Sequence, residues 1–264
     1  MPYANNNGVM INYEVEGQGP PIVLQHGITS NLTSWRMNGY TAALRKDYKL
    51  ILIDARGHGK SDKPHESDAY SPEHMTRDII TVLEDLGIED ASYWGFSMGG
   101  RIGFQFLRLH PSMFTSMIFG GASPLPKSKE DMVGMEGTRK LIDVGVRGGA
   151  EAAISYVEGF GVRDEVMNRR YRELDWHAAS AAFENIEGWP SIEGLLAGCS
   201  KPCLFYVGDL DPFHSGAKQG AGMMRSASFV SIPGLDHLGV SYNSGVVVPH
   251  VKCFFAEMSC GARV

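Results

Sequence analysis

Residues 95–99 read Gly-Phe-Ser-Met-Gly and place a serine between two glycines in the order G-x-S-x-G. A short apolar run precedes this segment, and a helical pattern from Met98 to Leu109 follows it. A serine on a sharp strand-to-helix turn exposes its hydroxyl at the edge of a sheet, where it can attack a carbonyl carbon. The pattern therefore predicts Ser97 as a nucleophile. The alternative is a glycine-rich turn whose serine only caps the helix.

A serine hydroxyl needs a base to accept its proton, and a carboxylate that orients this base. His237, at the end of the segment Pro-Gly-Leu-Asp-His, is the candidate base. The turn Gly-Asp-Leu-Asp-Pro at 208–212 offers two acids, Asp209 and Asp211. We favour Asp211 because a residue before proline is held in an extended conformation, and we expect Asp209 to cap the turn.

Asp209, Asp211 and His214 also allow an alternative interpretation as a metal site. The sequence has no other histidine or cysteine motif with metal-ligand spacing, so neither a metal nor a cofactor is predicted. We expect His58 and His110 to be structural, because the first lies in a turn and the second ends a helix.

These residues need a sheet that positions them. Apolar runs that suit buried strands of a parallel sheet occur at 22–25, 50–53, 91–94, 115–119, 203–207 and 229–232, with an earlier strand at 8–15. Helical patterns at 34–46, 71–86, 98–109 and 245–258 alternate with most of them. This alternation predicts an α/β fold with a mostly parallel central sheet and helices on both faces.

The pattern changes at residue 124. From there to residue 198 no convincing strand occurs, and helices are predicted at 130–144, 149–158, 164–182 and 192–196. We interpret 124–198 as a helical cap inserted into a core made of 1–123 and 199–264. Its methionines, alanines, glycines and aromatics predict a mostly apolar pocket. Trp176 and His177 are candidate substrate contacts, although such residues more often pack or face solvent.

Taken together, these motifs resemble the α/β-hydrolase fold family, in particular its serine esterase and lactonase branch with a helical cap. The resemblance also includes the oxyanion-loop motif at 26–28 and the D-x-R-G-x-G-x-S loop at 54–61. It implies a triad in the chain order Ser97, Asp211, His237. It also implies that the backbone N–H groups of Ile28 and Met98 hold the oxyanion.

The resemblance implies acyl transfer, since the family's haloalkane dehalogenases and epoxide hydrolases carry an aspartate where this chain has Ser97. We expect hydrolysis of a small, largely apolar carboxylic ester or lactone, or of a thioester by the same machinery. A C–C bond hydrolase, a cofactor-free perhydrolase and a ligand receptor on the same fold are the alternatives. Phe96 argues against the C–C branch, which often has a polar residue there, and Met98 argues against proline iminopeptidases, which usually have a tryptophan.

Composition disfavours nucleic-acid and membrane partners, and a small-molecule substrate is the expected partner. The 30 acidic and 24 basic residues give a net charge of −6, and no basic run suggests nucleic acid or an anionic membrane. No apolar run approaches the roughly 18 residues of a membrane span, and the amino terminus lacks the pattern of a secretory signal. The four cysteines, Cys199, Cys203, Cys253 and Cys260, are expected to be free thiols of a cytoplasmic protein. The oligomeric state is not predicted.

Overall fold

The computed structural model describes residues 2–261, with side chains as far as residue 258. The strands, most of them apolar runs of the chain, form one eight-stranded sheet. Its strands are β1 (Tyr3–Asn6), β2 (Val9–Glu16), β3 (Pro21–Gln25), β4 (Lys49–Ile53), β5 (Ser92–Phe96), β6 (Ser116–Gly120), β7 (Cys203–Gly208) and β8 (Ala227–Ile232). Their spatial order is β1-β2-β4-β3-β5-β6-β7-β8. The first two strands pair antiparallel and the other six are parallel, which confirms the predicted fold class.

The helices connect these strands. They are α1 (Thr33–Met37), α2 (Tyr40–Leu44), α3 (Pro72–Asp85), α4 (Met98–Leu109), α5 (Lys129–Glu158), α6 (Glu165–Glu173), α7 (Trp176–Glu187), α8 (Glu193–Leu196), α9 (His214–Met223), α10 (His237–Tyr242) and α11 (Ser244–Gly261), with a 3-10 helix at Ser67–Tyr70. Ser71 caps α3 by accepting the N–H of His74, and Pro72 follows it, as the sequence predicts.

Both faces of the sheet are covered, because successive side chains of a strand point to opposite sides. Tyr93 and Trp94 of β5 show this, since both are completely buried but belong to different hydrophobic clusters. Tyr93 packs with residues of α3 and α4, whereas Trp94 packs edge-on against Trp35 and Tyr40 of α1 and α2. The central strands therefore form a rigid layer whose carboxyl ends carry the loops discussed below.

Helices α5 to α8 all lie between β6 and β7 in the chain, inside the segment 124–198 that the sequence marks as helical. The predicted break between 144 and 149 corresponds to a bend in α5 at Gly149, whose φ of +72° is left-handed. Helix α5 packs against α6 and α7, and α7 also contacts the 3-10 helix of the core.

Two predicted helices are wrong in extent. The helix expected at 34–46 is divided into α1 and α2 by Gly39, which adopts a φ of +85°. The helix expected at 164–182 is divided into α6 and α7, because the side chain of Asp175 accepts the N–H of Ala178 and starts a new helix. Strand β1 and helices α9 and α10 were not predicted.

Within the described part of the chain, no helix is both long and apolar enough to cross a membrane. Cys199, Cys203 and Cys253 are free thiols, and the side chain of Cys260 lies outside the described residues.

Candidate active site

The turn between β5 and α4 holds Ser97 in a strained conformation, with φ +54° and ψ −111°. Only glycine fits two residues before Ser97 and two residues after it. A Cβ at position 95 would lie 2.2 Å from the carbonyl oxygen of Gly99, and a Cβ at position 99 would lie 2.2 Å from that of Gln25. Strain of this kind costs about 1–3 kcal/mol and persists only where the surroundings impose it. The N–H of Ser97 donates to the carbonyl of Gly120 at 2.8 Å, which ties the turn to the end of β6.

Ser97, His237 and Asp211 come from three separate segments of the chain and form one hydrogen-bonded chain. The Nε2 atom of His237 lies 3.0 Å from the Oγ of Ser97, and its Nδ1 atom lies 2.8 Å from the Oδ2 of Asp211. The side chain of Asp211 is fully buried, while that of His237 is 26% exposed. Since a carboxylate only accepts hydrogen bonds, the proton of the neutral imidazole resides on Nδ1, and Nε2 is free to accept the serine proton.

The two aspartates of the 208–212 turn have different environments. Asp211 points inward, and its Oδ1 accepts the N–H of Phe213 at 3.0 Å. Asp209 is exposed, and its Oδ1 accepts the N–H of Gly234 at 2.8 Å. The Nε2 of His214 lies 2.8 Å from the hydroxyl of Ser231, and within the described residues no group of three acidic, histidine or cysteine side chains has metal-site geometry. Asp211 is therefore the acid that contacts the imidazole.

The loop after β3 is fixed by two buried histidines. The Nε2 of His26 accepts the N–H of Ala55 at 3.1 Å, so its Nδ1 carries the proton and faces the carbonyl of Gly27 at 2.8 Å. Complete burial lowers the pKa of His26 to about 3, with the charge of nearby His58 adding to the effect, and the ring stays neutral. His58 is hydrogen-bonded to the carbonyl of Ile28, which fits its expected structural role.

The N–H groups of Ile28 and Met98 have no hydrogen-bond acceptor among the described residues. Met98 is the first residue of α4, where backbone N–H groups lack partners within the helix and carry a partial positive charge. The loop of Ile28 lies beside the serine, since a Cβ at Gly27 would be 3.4 Å from the Cβ of Ser97. Two free donors beside a serine hydroxyl can stabilise an oxyanion.

A cavity of about 330 Å³ opens at Ser97 between the sheet and the inserted helices. Its wall is mostly apolar, in agreement with the predicted character of the pocket. Helices α5 to α7 contribute Met135, Leu141, Met167, Tyr171, Phe183 and Ile186. Met98, the residue after the serine, also lines it.

Trp176 and His177 do not line this cavity, so their expected contact with substrate is corrected. Trp176 is buried against Gly145, where an added Cβ would lie 2.1 Å from the indole ring, and it meets Tyr171 edge-on. His177 is exposed, with its ring 5.6 Å from that of His65. Both stand at the start of α7, and it is the later residues of this helix that line the cavity.

Sequence reasoning missed two arginines in the cavity wall, Arg101 of α4 and Arg170 of α6. Neither stands in a recognisable motif. Arg170 lies in the run Asn-Arg-Arg-Tyr-Arg, whose other arginines, Arg169 and Arg172, are exposed. Helical spacing alone could have marked Arg170, because it falls one turn after the apolar residues Val166 and Met167.

Comparisons with known proteins agree with this architecture. Residues 20–138 match the model of a family described as alpha/beta hydrolase fold. A Bacillus subtilis protein provisionally named 2-succinyl-6-hydroxy-2,4-cyclohexadiene-1-carboxylate synthase is 29% identical over 202 residues, 74% of this chain and 72% of that protein. Epoxide hydrolase B of Mycobacterium tuberculosis is 28% identical over 191 residues, 68% of this chain and 49% of that enzyme, so the chain spans about half its length.

Solved structures share the fold over nearly the whole chain. A carboxylesterase of the thaumarchaeon Nitrososphaera gargenis superposes with a TM-score of 0.84 at 21% identity, covering 98% of this chain and 100% of that one. The enol-lactonase of Burkholderia xenovorans superposes with a TM-score of 0.80 at 23% identity, covering 97% and 100%. The protein thus has the α/β-hydrolase fold.

Proposed function

We propose that the protein is a serine hydrolase that cleaves a small carboxylic ester or lactone through an acyl-enzyme. The observation that carries this proposal is the chain Ser97–His237–Asp211, with 3.0 and 2.8 Å between the interacting atoms, at the base of a largely apolar cavity. In this scheme the helices within 124–198 act as a cap that excludes water from the cavity.

In the first step, the Oγ of Ser97 attacks the carbonyl carbon while the Nε2 of His237 takes its proton. Asp211 stabilises the imidazolium that results. The carbonyl oxygen becomes an oxyanion, which accepts hydrogen bonds from the N–H groups of Ile28 and Met98. Each such donor is worth about 2.7–4 kcal/mol of barrier stabilisation.

The tetrahedral intermediate then collapses. The bond to the alcohol oxygen breaks, and His237 returns its proton to that oxygen. His237 then takes a proton from a water molecule, and this water attacks the carbonyl carbon of the acyl-enzyme. His237 returns the proton to the Oγ of Ser97 as the bond to the acyl group breaks, so the acid is released and Ser97 is restored. From a lactone, the alcohol and the acid remain in one product molecule.

The nucleophile decides against epoxide hydrolysis in spite of the epoxide hydrolase relatives. That reaction opens a ring at an sp3 carbon, and the family members that do so carry an aspartate where this chain has Ser97. The free donors of Ile28 and Met98 fit an acyl reaction, in which the carbonyl oxygen gains charge.

The proposal is tested with a fluorophosphonate probe, followed by mass spectrometry to locate the adduct. We expect one adduct on Ser97, absent in Ser97→Ala and retained in Ser241→Ala, which changes a serine of the same cavity wall. A panel of short esters and of lactones with different ring sizes then ranks the two substrate classes. A folded protein that forms no adduct on Ser97 and leaves the whole panel intact would refute the proposal.

A further inference from the structure

Arg170 is a buried cation in the cavity wall. It is 8% exposed and reaches from α6 to the loop after β3 and to the end of α10. Its Nη1 donates to the hydroxyl of Ser30 at 3.0 Å, and its Nη2 donates to the hydroxyl of Tyr242 at 3.1 Å. The guanidinium also lies over the Tyr242 ring, 5.7 Å from its centroid. All these partners are neutral.

Within the described chain, no carboxylate lies within 4.0 Å of Arg170. A guanidinium has five N–H donors, of which two are used here, so three remain. The Nε atom is buried and has no partner at all. Burying a charge without a counter-charge is expensive, and proteins normally avoid it by pairing.

Another buried arginine shows how this protein pairs such a charge elsewhere. Arg56 is 2% exposed, and Asp78 holds it with two hydrogen bonds of 2.6 and 2.7 Å. Arg170 differs from Arg56, because no carboxylate of the described chain is paired with it.

We propose that Arg170 binds a carboxylate of the substrate, so that the natural substrate is an ester or lactone bearing a second, negatively charged acid group. This inference rests on the proposed function for its reaction and refines the expected, largely apolar substrate. Arg170 and Ser97 line one cavity. The unused Nη donors of the guanidinium suit a bidentate carboxylate, and the largely apolar wall of the cavity suits the carbon chain of such an acid.

The kinetic test compares two esters of nearly equal shape, the monomethyl and dimethyl esters of adipate, with the glutarate pair alongside. For the wild type we expect kcat/KM to be at least about ten-fold higher for the monoester, as expected for a charge-assisted hydrogen bond. Arg170→Gln abolishes this preference, and Arg170→Lys restores part of it. Arg169→Gln, which removes the same charge from the exposed face of α6, leaves the preference intact.

A purely structural role of Arg170 is tested separately. The double variant Ser30→Ala/Tyr242→Phe removes the two hydroxyl partners but leaves the guanidinium, and we expect it to keep the preference for the monoester. A loss of the preference in this variant, or an equal decrease for both esters in Arg170→Gln, would show that Arg170 only holds α6 in place.

Binding separates this inference from the proposed reaction. Calorimetry of Ser97→Ala with succinate, glutarate and adipate is expected to show binding of at least one diacid, weakened ten-fold or more by Arg170→Gln. If Ser97→Ala binds a diacid but the wild type hydrolyses no ester, the proposed function is refuted and the anion site is retained. Ester hydrolysis without any preference for the monoesters, or no diacid binding at millimolar concentration, would overturn the anion site.

Discussion

Replacing Asp211 by asparagine tests the triad most directly, and the same turn supplies its control. Oδ1 of Asp211 accepts the N–H of Phe213, and Oδ2 faces the Nδ1 of His237. In Asp211→Asn the amide oxygen stays on the Phe213 N–H, so the NH2 group takes the place of Oδ2. An NH2 group only donates, which forces Nδ1 of His237 to become an acceptor.

The proton of the imidazole then moves to Nε2, the atom 3.0 Å from Ser97 Oγ. In that tautomer His237 cannot accept the serine proton. A change of this kind at a serine triad reduces kcat by about 10⁴, which corresponds to about 5.4 kcal/mol of barrier at 1.36 kcal/mol for each factor of ten. Asp209→Asn only weakens the contact with the Gly234 N–H at an exposed site, so kcat should change by less than about three-fold.

Steady-state hydrolysis of an ester found active in the panel measures both variants, with thermal unfolding to show that each is folded. Fluorophosphonate labelling of Ser97 should slow in parallel with kcat in Asp211→Asn. The reasoning is refuted if Asp211→Asn retains more than about a tenth of the activity, or if Asp209→Asn loses as much.

Three further predictions concern packing, pH and thiol chemistry. Gly95→Ala should destabilise the fold by about 2–3 kcal/mol in urea titrations, because its Cβ would overlap a backbone carbonyl. The control Gly222→Ala, at an open helical site, should be neutral or slightly stabilising. Equal effects of the two variants would contradict this prediction. Because burial lowers the pKa of His26 to about 3, the unfolded chain takes up a proton first as the pH falls below 6.5. Between pH 6.5 and 4.5 the wild type should therefore lose about 2–3 kcal/mol more unfolding free energy than His26→Gln, and parallel curves would disprove this origin. A hydrogen bond from the Cys203 thiol lowers the pKa of Cys199 to about 6, while the Glu257 carboxylate raises the pKa of Cys253. At pH 7 iodoacetamide should therefore alkylate half-buried Cys199 about ten-fold faster than exposed Cys253, as measured by peptide mapping. Faster alkylation of Cys253 would show that access to the thiol, and not its pKa, sets the rate.

The sequence alone determined the elements that depend on local patterns. Helix α4 was predicted with its observed bounds and the strand before Ser97 within two residues, because the turn needs glycines at fixed positions and the helix has a regular apolar face. The sheet class followed from alternation of the same kind. Strand β1 escaped prediction since its polar sequence is strand-like only when paired with β2.

Tertiary structure decided which residues meet. Asp209 and Asp211 were separable by the proline after the second, but only burial shows that Asp211 alone reaches His237. Trp176 and His177 were misplaced because the direction that a helix end faces depends on its packing, here on Gly145 and on His65. Helical spacing could have placed Arg170 on the inner face of α6, but its lack of a paired carboxylate depends on the atoms packed around it and not on the sequence pattern. A one-dimensional pattern fixes what a residue can do, whereas the surrounding atoms fix its charge balance and its partners.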